Sequence, residues 1–70
     1  MPIRHYLFDD GAFAPDDLDT MGKAFAAAIA KLGLDLRDPM AEMVARRIIR
    51  AALAGERNLT ELTEIGVGVN

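Results

Sequence analysis

Arg46, Arg47 and Arg50 are the residues of this chain best equipped for chemistry, because spacings of three and four put Arg50 beside both of the others on one helical surface. Three planar donor forks held together could grip a phosphate, a carboxylate or an acidic partner. The same residues also have a plain structural use. Cations suit the C-terminal end of a helix, and Glu42 stands four positions before Arg46 in the favourable orientation for a helical ion pair.

The other chemically capable groups are dispersed. Asp9, Asp10, Asp16, Asp17 and Asp19 could suggest calcium, but they lack the alternating spacing, central glycine and terminal glutamate of a calcium loop. Turn formation and compensation of a helix dipole account for them. His5 is the single histidine and lies far from any candidate nucleophile, and cysteine is absent, so neither a thiolate nor a disulfide is available. There is no glycine-rich phosphate loop and no nucleophile–base pair, and so small a fold would struggle to enclose a pocket of several hundred cubic ångströms. The sequence therefore predicts a non-enzyme with no catalytic, cofactor-binding or metal-binding residue.

Seventy residues allow one domain, near the size at which a hydrophobic core barely outweighs the entropy of ordering the chain. Efficient helix packing and self-association are the remaining ways to add stability. The charge of -3, from eleven acids against eight bases, disfavours a protein whose affinity depends on neutralising phosphates. The opening MPIRHYLFDD lacks the apolar run and cleavage site of a signal peptide, and no stretch approaches the roughly 20 apolar residues needed to span a bilayer. The expected location is the cytoplasm, with no membrane association.

Two segments of parallel design supply the frame for the arginines. Each opens with proline and is followed by glycine: Pro15 to Leu32 before Gly33, and Pro39 to Ala54 before Gly55. In the first, Asp16 and Asp17 face the positive end of the dipole, and Phe13 with Leu18 fits a hydrophobic staple around an Ala14 cap. Leu18, Met21, Phe25, Ala28, Ile29 and Leu32 fall within an arc of about 100°. Leu34 is placed to fold back onto Ile29 after Gly33.

The short link to Asp38, the expected cap of the second helix, makes that helix an antiparallel neighbour. Its apolar residues, from Met40 and Ala41 round to Leu53, sweep about 220°, with Met43 among the arginines. One partner helix cannot cover that arc, so the second helix is expected at the centre of the fold. Asn58 to Glu61 reads as a capping box opening a third helix over about 59–65, which Gly66 should stop. Residues 66–70 are expected to fray and residues 1–13 to form an extended arm packed by its aromatic side chains. The predicted fold is all-α: a helical hairpin over 15–32 and 39–54, a third helix and an N-terminal arm, in a single domain over 1–70.

The spacing of Phe13-Ala14-Pro15, Met21, Phe25, Leu32-Gly33-Leu34, Asp38-Pro39, Val44-Ala45 and Gly55-Glu56-Arg57 resembles that of a group of short bacterial proteins of no assigned activity. The resemblance covers residues from about 12 to 65. It implies a helical, stand-alone cytoplasmic protein and no particular catalytic or binding residue.

Functionally, the sequence points to a small protein–protein interaction module. Its expected surface is Met40, Met43, Arg46, Arg47 and Arg50 on the broad face of helix 39–54. The partner would be another protein or a second copy in a homodimer. The alternative is a nucleic-acid-associated regulator docking through the three arginines.

Overall fold

Proline, dipole and capping signals agree at both helix starts of the hairpin, and the elements begin where those signals lie. A computed structural model, which describes residues 13–68, contains three helices: α1 (Pro15–Leu32), α2 (Pro39–Leu53) and α3 (Leu59–Val67). Among the described residues there is no strand. The expected arm falls, apart from Phe13, outside the described residues.

Local hydrogen bonds explain the element ends. At the start of α1 alanine offers no capping oxygen, and the Asp17 carboxylate instead accepts the Ala14 backbone N–H at 3.2 Å. Asp38 caps α2 by accepting from the Met40 backbone at 2.8 Å. The two glycine stops work alike. Gly33 adopts φ 66° while the Leu34 N–H donates to the Ile29 carbonyl at 3.1 Å. Gly55 adopts φ 107° while the Glu56 N–H donates to the Ala51 carbonyl at 3.0 Å. Both are the six-residue closure that a left-handed residue permits. Helix α2 ends one residue before the predicted Ala54, which serves as its cap.

Helix α3 starts at the expected Leu59 behind the Asn58 cap, but one capping partner differs and the helix runs past its expected end. Asn58 accepts the Glu61 N–H at 3.0 Å, but the reciprocal half of the box is supplied by Glu56, whose Oε2 accepts from the Asn58 N–H at 3.2 Å. At the far end Gly66 does not stop the helix. It is buried inside α3, and the left-handed cap is Gly68, with φ 99°. The predicted fray at residues 66 and 67 is thus corrected: Val67 completes the helix and packs against the core.

Gly66 is there for clearance. A Cβ at that position would lie 2.9 Å from Ile48 Cδ1 and 3.2 Å from Ala28 Cβ, so α3 sits closer to α1 and α2 than any side chain would permit. The core around it holds Met21, Phe25, Ile29, Val44, Ile48 and Leu62 together with Ala24, Ala28, Ala41, Ala45 and Ala52. Small residues at the contacts bring the helices close enough for the few large ones to interdigitate. The packing is uneven: α3 contacts α1 most extensively, while α1 and α2, the two arms of the hairpin, touch each other least. The nine-residue third helix, rather than α2, makes the most contact with the rest of the fold.

A second junction closes the other side. Arg57 pairs through Nε with Asp17 Oδ1 at 3.1 Å, donates to the Ala52 carbonyl at the end of α2, and lies 5.4 Å from the centre of the Phe13 ring. One side chain therefore joins the start of α1 to the end of α2. Cation–ring contact and carbonyl capping are modest individually, at about 1 kcal/mol or less each at an exposed site.

Gly66→Ala is expected to destabilise the fold by about 1–3 kcal/mol through overpacking. Adding Ile48→Val, which removes the nearest methyl group, should recover part of that loss. Urea denaturation of the two single variants and the double variant measures the coupling. Strictly additive losses would show that the Ile48 clash is not the cause.

Candidate interaction surface

The surface of α2 divides sharply between core and solvent. Ala41, Val44, Ala45, Ile48 and Ala52 are buried and occupy an arc of about 100° on the wheel. Ile49 and Ala51 are half-buried at its edges. The predicted apolar sweep is therefore only partly covered by the described residues. Met40, Met43 and Leu53 remain 44%, 47% and 61% exposed. Coverage ends there because α1 presents a narrow stripe and α3 has only nine residues with which to cover the rest.

Each of the three arginines has a different situation. Arg46 is exposed and pairs through Nη2 with Glu42 Oε1 at 2.9 Å, the four-residue ion pair legible in the sequence. Arg47 is half-buried and reaches across to α3, where Nη1 donates to the Gly66 carbonyl at 3.1 Å. A Cβ on Gly68 would stand 3.3 Å from that same nitrogen, so the glycine cap leaves room for the guanidinium. Arg50 is exposed and, among the described residues, makes no ion pair or side-chain hydrogen bond.

These side chains form one feature. Met43, Arg46, Arg47 and Arg50 line a shallow, open hollow of about 290 Å³. Of the five residues singled out in the sequence, four meet there, whereas Met40 is exposed one turn earlier and does not line it. The hollow is an open surface feature at the lower end of the volumes that hold small ligands. Three guanidinium groups beside a thioether line it, and planar donor forks are the chemistry that carboxylates and phosphates pair with.

Sequence reasoning missed Leu53 as a surface residue and Arg57 as a junction. Leu53 follows Arg50 by three positions on the same exposed side, which counting it into the apolar arc concealed. The signal for Arg57 was a cation just beyond the Gly55 stop, a position from which it can reach the last carbonyls of the preceding helix.

Among the described residues no group of three or more histidine, cysteine or acidic side chains is arranged to hold a metal ion. No described helix is long and apolar enough to cross a membrane. Comparison with known proteins finds no matching family model, no matching curated protein and no matching solved structure.

The different arginine environments predict different costs. Arg47→Ala should lose about 1 kcal/mol of stability, because it gives up the α3 carbonyl contact and its packed stem. Arg46→Ala and Arg50→Ala should stay within about 0.5 kcal/mol of the parent. Thermal and urea unfolding of the three variants tests this, and equal costs would contradict the division.

Proposed function

We propose that the chain is a small, non-catalytic interaction module whose docking surface is the outer side of α2. The observation that carries this reading is the exposure of Met40, Met43 and Leu53 beside a concentrated group of arginines on an otherwise acidic chain. Scattered exposed apolar residues are ordinary. Three on one helix, one of them lining a hollow with the arginines, are a better fit to a protein contact than to plain solvent exposure. The cytoplasm is the setting this reading assumes.

Homodimerisation is the second reading, favoured by the same exposed methionines. A two-fold contact centred on the hollow would set arginines against arginines, which disfavours association. A dimer would therefore centre on Met40, at the α2 start, and leave Arg50 at the rim. The nucleic-acid reading has the three arginines in its favour but no aromatic residue interleaved with them for base stacking, and a net charge of -3 against it.

Sedimentation velocity across a wide concentration range separates these readings. A docking module for another protein is expected to run as a monomer throughout. Should it dimerise, Met40→Glu would weaken the dimer more than Met43→Glu. A low-salt titration with duplex and single-stranded oligonucleotides is expected to show no salt-sensitive binding. Binding that falls as salt rises, and that Arg50→Glu removes, would replace the protein-docking reading with the nucleic-acid one.

A further inference from the structure

Arg46, Arg50 and the two apolar residues flanking them form a spaced pattern on one line of the α2 surface. Met43, Arg46, Arg50 and Leu53 recur at intervals of three, four and three, so they share the exposed side. The outer pair stands about 15 Å apart along the axis. The line therefore reads apolar, cation, cation, apolar.

Arg47 adds a fixed element. Its guanidinium is held from behind by the Gly66 carbonyl, yet the side chain still lines the hollow, leaving further donors of its five N–H groups for an incoming group. A fork positioned before binding loses less freedom on binding than a free one. Arg46 already has Glu42 as a partner, whereas Arg50 has none among the described residues. The unsatisfied charge of the face thus lies between Arg47 and Arg50, beside Met43.

From this arrangement we infer that the α2 face receives an acidic amphipathic helix of another protein. Two of its apolar side chains, about 15 Å apart, seat against Met43 and Leu53. Carboxylates one and two turns between them engage Arg50 and the held fork of Arg47. The inference rests on the docking reading above and specifies the partner's chemistry. Charge complementarity selects an acidic occupant, and the apolar ends select a peptide over a nucleic acid, whose backbone presents phosphate and sugar but no apolar side chain. A second copy of this chain is disfavoured because the receiving face is itself cationic.

The test uses three synthetic helical peptides with the full-length protein. The first has leucines ten positions apart, with glutamates four and seven positions after the first leucine to match Arg47 and Arg50 after Met43; the second has the same composition scrambled; the third has lysine in place of glutamate. Binding is measured by fluorescence anisotropy at two salt concentrations, and the contact is located by amide chemical-shift changes. The patterned acidic peptide is expected to bind, to shift residues along the exposed side of α2, and to weaken as salt rises. Arg50→Glu should weaken it roughly tenfold or more, while Arg50→Lys should cost less. Since Arg50 has no partner to lose among the described residues, circular dichroism of Arg50→Glu should match the parent.

Equal binding of the scrambled peptide, or failure of Arg50→Glu to weaken the complex, overturns the inference. If the lysine peptide alone shifts the α2 side, the docking surface stands and the acidic partner is wrong. If no peptide shifts α2, both readings fail. Displacement of the acidic peptide by an oligonucleotide of equal charge at lower concentration assigns the face to nucleic acid and overturns the peptide.

Discussion

Everything in this fold depends on how closely α3 can approach the other two helices. That distance is set by Gly66, which places backbone where a side chain would meet Ile48 and Ala28. The alanines of α1 and α2 extend the same economy of volume, with Ala24, Ala28, Ala41, Ala45 and Ala52 all buried. Close helices let Leu62 and Ile48 be fully buried in a chain this short. The same choice limits the apolar area each contact removes from water, since alanine has only a methyl group to bury.

A core built on small contacts makes the local closures matter more. Asp38, Asn58 and Asp17 satisfy backbone N–H groups at the three helix starts, and Gly33, Gly55 and Gly68 close the three ends. Arg57 joins two of these closures by pairing with Asp17, already the acceptor for the start of α1, and by meeting the last turn of α2. Buried Thr63 follows the same rule, with its hydroxyl donating to the Leu59 carbonyl at 2.8 Å. Each contribution is small, but a domain of this size has only a few kcal/mol to spare.

The sequence was most legible where one residue's local chemistry decides the outcome. Pro15 and Pro39 open helices, Gly33 and Gly55 close them, and Glu42 pairs with Arg46, all from rules that operate within one or two turns. It was least legible where a residue had two possible uses. Glycine both ends helices and permits close approach, and Gly66 serves the second purpose because Ile48, eighteen positions earlier, occupies the space. Nothing within α3 carries that information. The apolar arc of α2 could be counted along the sequence, but the part that is buried is much narrower, because coverage depends on the short reach of α3. The arginine group was legible as a group, whereas the division among its members depended on which one α3 would meet.

That division links stability to the character of the exposed face. The carbonyl that receives Arg47 belongs to Gly66, the residue that lets α3 approach. A larger residue at position 66 would push α3 outward and move its carbonyl away from the guanidinium. Arg47 would then lose its α3 partner, and the hollow would lose the contact that holds one of its walls. The close helix contact that stabilises the core is therefore also what orders one side of the cationic surface. Arg46 and Arg50 depend on α2 alone and would keep their spacing. Core packing and surface chemistry in this chain meet at a single glycine, one with no side chain of its own to offer to either.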